Sequence, residues 1–131
     1  MSAKLKHAEH NESICDKLLS EKKFHDWVIT TAFYSSIHFI DHKIFPMIIG
    51  AETYNTLEDY RSYICSTQPK KISRHLARTM AIHQSLSFLK PEYGYLMKQS
   101  ESARYINYNV LPATAEIASK HLKTIKNFCT K

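Results

Sequence analysis

The apolar stretch over residues 26–45, DWVITTAFYSSIHFIDHKIF, constrains the fold more than any other segment of the chain. At 3.6 residues per turn, its apolar side chains form three stripes that together cover nearly the whole circumference of a helix. Only Thr31, Ser35 and His42 mark a solvent-facing strip. A helix that is apolar on almost every side needs neighbours on several sides, so we expect it to lie at the centre of a bundle.

Other segments with helical periodicity predict the neighbours of this central helix. We expect helices over residues 8–21, 53–66, 72–90, 92–105 and 112–129, and loops over residues 47–53 and 66–71. Ser73 should cap the helix over 72–90, Pro91 should end or kink it, and Pro112 suits the first turn of the last helix. The chain therefore predicts an all-α antiparallel bundle of about five helices, forming a single domain over residues 1–131.

The composition agrees with helices and with a cytoplasmic location. The chain has only two glycines and four prolines, which are too few for the many tight turns of an all-β fold. The three cysteines form no C-x-x-C pair, which disfavours a disulfide framework and a cysteine zinc site. The N-terminal residues lack the apolar core of a signal peptide, and no run approaches the ~18 apolar residues of a membrane span. We therefore expect neither export nor membrane insertion.

The basic charge makes an anionic partner worth considering. The formal net charge is +6 and the pI is about 9.2, which is compatible with nucleic acid. The lysines are scattered along the chain instead of forming one run, with Lys70 and Lys71 as a pair in the linker over 66–71. On charge alone, an ordinary solvated surface is favoured over a nucleic-acid footprint.

Common catalytic motifs are absent from the sequence. It holds no Gly-rich phosphate loop, no G-x-S-x-G, no H-E-x-x-H and no paired-carboxylate signature. His38 and His42 are four residues apart on a helix and could share a metal ion, but no third ligand stands at a matching spacing. We expect a core histidine beside an exposed one, and no metal or other cofactor.

A set of polar residues falls on positions that face the predicted core. A buried guanidinium needs a carboxylate, several hydrogen bonds or a phosphate-bearing ligand. Two interpretations stay open, namely an internal network that fixes the packing of the bundle and a functional cluster. The residues in question are Tyr34, His38, His75, Arg78, Arg104 and Tyr105.

Four short patterns occur in chain order and resemble small bacterial HEPN-type domains over nearly the whole chain. They are A-x-H-N-E, D-W-x-x-x-x-A-F-Y-S-x-I-H, H-x-x-R and Y-x-x-L-x-x-x-S-x-x-A-R-Y, which begin at residues 8, 26, 75 and 93. The resemblance implies a helical bundle, usually a homodimer, in a superfamily tied to RNA cleavage, toxin-antitoxin pairs and anti-phage defence. Nuclease members carry an R-x4-6-H motif near the start of the last helix, and two copies meet across the dimer to cut RNA without metal.

This chain departs from that motif at its histidine. Arg104 stands at the expected place, but Asn109 follows five residues later, and an asparagine side chain does not titrate. Either the domain is inactive and binds, or His38 or His75 substitutes. A neutral histidine would then take the proton of a 2′-hydroxyl, while Arg78 or Arg104 stabilises the pentacoordinate phosphate.

The leading hypothesis is a HEPN-like dimer that acts with RNA or a nucleotide, either as a metal-independent ribonuclease or as a degenerate relative. The alternative is an inactive protein-interaction module whose partner is a neighbouring antitoxin or defence protein. A third possibility is simple nucleic-acid binding through lysines, which predicts steep salt dependence. The candidate catalytic residues are His38, His75, Arg78 and Arg104, and the candidate nucleic-acid contacts are Tyr34, Tyr105, Asn109, Lys70 and Lys71.

Overall fold

Residues 2–131, the part of the chain that the computed structural model describes, form six α-helices and one short β-hairpin. The hairpin lies between the second and third helices, and a 3-10 turn over Ser87–Leu89 leads into the fifth. The prediction of an all-α bundle is confirmed. The elements are α1 (Ala3–Glu21), α2 (His25–Ile44), β1 (Met47–Ile49), β2 (Glu52–Tyr54), α3 (Leu57–Ser66), α4 (Arg74–Ser85), α5 (Lys90–Tyr105) and α6 (Pro112–Cys129).

Helix α2 is the buried centre of the bundle, as its sequence predicts. It packs against α1, α5 and α6, and more briefly against α4. Its solvent-facing strip was predicted wrongly at Ser35, which is fully buried and donates a 2.7 Å hydrogen bond to the Ala8 carbonyl. A serine satisfies its only polar group this way while its small size lets α1 approach closely. Conversely, Trp27 from one of the predicted core stripes is 55% exposed.

Helix α1 begins earlier than predicted because Ser2 caps it. The Ser2 hydroxyl accepts a 3.1 Å hydrogen bond from the Leu5 amide, which satisfies one of the free donors at a helix start. The turn into α2 is short, with Lys22 and Phe24 at φ values of 56° and 55°. Two residues in the left-handed backbone conformation reverse the chain direction within a few positions, so α1 and α2 form an antiparallel pair.

The predicted loop over residues 47–53 is in fact part of the β-hairpin. Met47 pairs with Tyr54 and Ile49 with Glu52. The connecting turn has Gly50 at φ 61°, as in a type II′ turn with glycine at its first central position. Three-residue strands are too short to show an alternating pattern, which is why the sequence did not predict them. Tyr54 packs on Tyr63 of α3 at 5.0 Å between ring centroids and so holds the hairpin against that helix.

The expected helix over 72–90 is two elements. Ser73 caps α4 as predicted, accepting a 3.0 Å hydrogen bond from the Leu76 amide, but α4 ends at Ser85. Pro91 lies in the first turn of α5 instead of ending the helix before it. Pro112 opens α6 as predicted. Among the helices of residues 2–131, none combines the length and apolar character needed to cross a membrane.

A buried carboxylate joins α1 to α6. Glu12 accepts hydrogen bonds from the ammonium groups of Lys123, at 2.6 Å, and Lys126, at 2.8 Å. Lys123 also contacts Asp16, an exposed residue one turn further along α1. Burial alone would raise the pKa of Glu12, but the two lysines outweigh it and hold that pKa below its ordinary value of 4.5. The ionised carboxylate is therefore part of the folded structure.

Replacing Glu12 with glutamine should lower the free energy of unfolding at pH 7 by about 1–2 kcal/mol, because two charge-assisted hydrogen bonds are weakened. The pKa of Glu12 is lowered in the folded state. The stability that the ionised Glu12 gives to the fold is therefore present above the pKa of the unfolded chain and is lost as the pH falls through the pKa of the folded protein. Urea unfolding at several pH values should show wild type losing its advantage over the Glu12→Gln variant below about pH 4.5.

Asp16→Asn is the matched control. It removes a carboxylate from the same lysine at a site whose side chain is 50% exposed, so its cost should stay under about 1 kcal/mol. If the two variants lost the same free energy of unfolding at pH 7, burial of Glu12 would add nothing to the strength of its contacts with the lysines.

Candidate functional site

An open cleft with a volume of about 1030 Å³ lies between the α1–α2 pair and the N-terminal turns of α3 and α4. Helix α2 forms its floor. The candidate residues that line it are Tyr34, His38, His75 and Arg78. The cleft thus brings together side chains from two helices that are distant in the sequence.

One wall of the cleft carries a pair of stacked imidazoles. The rings of His7 from α1 and His38 from α2 have centroids 3.9 Å apart and planes inclined by 21°. Partial burial lowers the pKa of His38, and the nearby His7 and Arg78 lower it further against an opposing effect of Asp41. His38 is therefore neutral at pH 7, the form in which an imidazole can accept a proton.

A buried ion pair closes the inner side of the cleft. Arg78 donates from Nε to Asp41 Oδ1 and from Nη2 to Asp41 Oδ2, both at 3.0 Å. Arg78 is buried as predicted, and Asp41 is the carboxylate that an inward guanidinium requires. This bidentate pair neutralises the charge of Arg78 and joins α4 to α2, so its geometry is that of a structural contact.

His75 reaches the cleft from α4 but is exposed, so the prediction that it faces the core was wrong. Its ring lies 5.8 Å from that of Phe33, between centroids. Partial burial lowers the pKa of His75, and the positive charges of Arg78 and Arg104 lower it further. His75 is thus a second imidazole that is neutral at pH 7 and open to solvent.

Arg104 lies behind the cleft. Its Nη1 donates a 2.7 Å hydrogen bond to the hydroxyl of Tyr34, and its Nε donates to the Ser100 carbonyl at 3.2 Å. Its Cζ is also 5.0 Å from the ring centroid of Tyr105. Ring faces and neutral acceptors, not a carboxylate, therefore hold this guanidinium, and Tyr34 links it to the cleft.

The remaining candidates lie elsewhere. Tyr105 is 75% exposed, so the prediction that it faces the core was wrong; its ring covers the outer side of Arg104. Asn109 is exposed in the connection between α5 and α6, and Lys70 and Lys71 are exposed in the linker before α4. Among the described residues, these four are not part of the cleft lining.

The cleft is also lined by Lys4, His7, Trp27 and Arg74, which were not among the site residues predicted from the sequence. The short link between α1 and α2 implies an antiparallel pair but not its register. In the register that the structure shows, Ala8 contacts Ser35 and the ring of His7 stacks on that of His38. Trp27 was assigned to the core by its hydrophobicity, and a single exposed arginine such as Arg74 carries no pattern.

His38 and His42 do not act together. His42 Nδ1 lies 2.9 Å from the Ser2 hydroxyl, whereas His38 stacks on His7. Over residues 2–131, no group of three or more His, Cys, Asp or Glu side chains is placed to hold a metal ion.

No protein-family model matches the chain, and searches of curated proteins and of solved structures found no significant match. The HEPN-type assignment therefore stays a prediction that rests on the four sequence patterns.

Arg78→Ala should lower the free energy of unfolding by about 3–5 kcal/mol, because it leaves the Asp41 carboxylate buried without a partner. Arg74→Ala is the control, one turn earlier on the same helix with a side chain 69% exposed, and should cost under about 1 kcal/mol. Chemical denaturation measures both. A small effect of Arg78→Ala would show that Asp41 finds another partner or reaches water.

Proposed function

We propose that this protein is an RNA-associated domain of the HEPN type and that its cleft cuts RNA without a metal ion. One observation carries the proposal. Two imidazoles with lowered pKa values, His38 and His75, line one solvent-reachable cleft from two different helices. Titratable groups with perturbed pKa values in a shared cleft are candidates for acid and base catalysis.

The chemistry is an attack by the ribose 2′-hydroxyl on the adjacent phosphate. A neutral imidazole, His38 or His75, takes the 2′-hydroxyl proton while the 2′-oxygen bonds to phosphorus. The bond from phosphorus to the 5′-oxygen breaks, and the other imidazole of the pair, in the minority of molecules in which it is protonated, supplies a proton to that oxygen. The products are a 2′,3′-cyclic phosphate and a 5′-hydroxyl. His7 is the third imidazole within reach, because it stacks directly on His38.

We propose a different set of cations for the phosphate from the two arginines named in the sequence analysis. Arg78 is committed to Asp41, and Arg104 lies behind Tyr34. Arg74 lines the cleft, and its contact with Glu58 is long, at 3.6 Å. Lys4 lines the cleft from α1. We therefore assign stabilisation of the phosphate charge to Arg74 and Lys4, with Arg78 and Arg104 as positioning residues.

The four sequence patterns extend this proposal to its biological setting. We propose that the domain works in the cytoplasm as a homodimer within a toxin-antitoxin or anti-phage system, with a neighbouring antitoxin or defence protein as its partner. Toxicity on expression, relieved by substitutions in the cleft, is the corresponding expectation in cells.

Replacing His38 and His75 together with alanine should slow RNA cleavage by about 10²–10⁴-fold, the usual contribution of a general acid or base. The control is the His10→Ala, His83→Ala double variant, whose two histidines are exposed and lie outside the described lining of the cleft. Cleavage of a labelled single-stranded RNA measures the rates.

The wild-type rate should follow a bell-shaped pH profile, because it rises as the base loses its proton and falls as the imidazole that serves as acid loses its own. The rising limb should have its midpoint below the ordinary histidine value of 6.5, because the pKa values of His38 and His75 are both lowered. Normal cleavage by the His38, His75 variant, or no cleavage by wild type, would contradict a catalytic role for these residues.

One feature bears on the proposed homodimer, an exposed apolar surface between the last two helices. The connection between α5 and α6 exposes large apolar side chains, with Ile106 80% and Leu111 71% exposed and Tyr108 nearby. Adjacent exposed apolar side chains are typical of protein-binding surfaces. We propose that this segment is where a second copy of the chain docks.

The Ile106→Asp, Leu111→Asp variant should therefore be a folded monomer under conditions where wild type is a dimer, because charges are buried without partners at the contact. Light scattering after gel filtration measures the mass, and circular dichroism checks the fold. A variant that remains dimeric would place dimerisation outside this surface, and a monomeric wild type would contradict the proposed homodimer.

A further inference from the structure

The one tryptophan of the chain lies in the cleft. Trp27 is in the first turn of α2 and is 55% exposed although its neighbours Val28 and Ile29 are fully buried. An indole offers a large flat apolar face at small conformational cost, and such faces bind other flat groups well when they are accessible.

Trp27 belongs to a row of rings on the floor of the cleft. Tyr34 and His38 line the cleft from the same helix. At a rise of about 1.5 Å per residue, Trp27 lies about 10 Å from Tyr34 and about 16 Å from His38 along the helix axis. At the ~3.4 Å spacing of nucleotides in one strand of a duplex, ~16 Å corresponds to roughly five nucleotides, and to fewer when the strand is stretched.

The charges of the cleft fit a polyanion laid along this row. Lys4 and Arg74 line it, with Glu58 as the carboxylate beside Arg74, while Arg78 and Asp41 neutralise each other. His7 and His38 lie at the end away from Trp27. Bases of single-stranded nucleic acid stack on aromatic side chains whatever their sequence, whereas the bases of a duplex are already stacked on one another. An accessible indole therefore selects unpaired bases.

We propose that Trp27 forms a base-stacking subsite for an unpaired nucleobase of single-stranded RNA, whose phosphate chain then runs along α2 toward His7 and His38. This inference rests on the proposed function, since it presupposes that RNA occupies the cleft. It adds what the catalytic histidines alone do not explain, namely a preference for unpaired RNA and a fixed distance between the stacked base and the phosphate that is cut.

The experiment uses the intrinsic fluorescence of Trp27, which no other tryptophan obscures. The probe is a single-stranded 2′-O-methyl RNA of about ten nucleotides, within the ~4–16 nucleotides that single-strand-binding folds cover. It cannot be cut by attack of a 2′-hydroxyl. A dye on the RNA gives an independent binding signal through fluorescence anisotropy, and a duplex of the same length is the comparison ligand.

Wild-type tryptophan fluorescence should be quenched with the same midpoint as the anisotropy signal, and the duplex should bind more weakly. Trp27→Ala should weaken single-strand binding by roughly 5- to 150-fold, the loss expected for one stacked base, and Trp27→Phe should weaken it less. The matched control is Phe88→Ala, an aromatic residue that is also 55% exposed but lies outside the described cleft lining, and it should leave binding unchanged.

The possible failures are distinguishable. No anisotropy change with any RNA overturns the proposed function and this inference with it. Single-strand binding that Trp27→Ala does not weaken, or that leaves tryptophan fluorescence unchanged, overturns the stacking subsite alone. Equal affinity for the duplex overturns the preference for unpaired RNA while leaving RNA binding in place.

Discussion

The buried ion pair between Asp41 and Arg78 is the contact on which the arrangement of the cleft depends. Helix α4 touches α2 over only a short stretch, and this bidentate pair lies within that stretch. Two charges removed from water are costly unless each satisfies the other, so the pair tolerates one geometry. Because His75 and Arg74 lie on α4, their position relative to His38 on α2 follows from this contact.

The sequence left two interpretations open, a structural network and a functional cluster, and the structure shows internal partners for both arginines of this set. Arg78 is satisfied by Asp41, and Arg104 is satisfied by Tyr34 and by aromatic faces. The imidazoles of His38 and His75 instead face an open cleft. The arginines hold the helices that carry the histidines, which is why a fully paired guanidinium and a solvent-reachable imidazole occur a few residues apart.

Most of the fold could be predicted from periodicity, because long helices repeat their burial pattern over several turns. The central position of α2, the cap at Ser73 and the start of α6 at Pro112 follow from local rules that the structure keeps. The hairpin could not be predicted, because strands of three residues carry no pattern. Its stability comes from packing, as in the contact of Tyr54 with Tyr63.

The site was harder to predict because exposure depends on the packing of neighbouring helices and not on one helix alone. His75 and Tyr105 fall on apolar faces in the sequence yet are exposed, whereas Ser35 looks solvent-facing yet is buried under α1. His7 joins the site only through the antiparallel register of α1 and α2. A histidine pair formed by two helices needs that register before it can be recognised.

The most direct test of the shared cleft is nuclear magnetic resonance of the histidine rings during a titration with uncleavable single-stranded RNA. The imidazole signals of His7, His38 and His75 should shift together with one dissociation constant, while those of His83 and His121, outside the described lining of the cleft, stay in place. Unchanged cleft imidazoles in the presence of bound RNA, with shifts confined to residues such as Lys70 and Lys71, would show that RNA binds elsewhere and that these histidines form no common site.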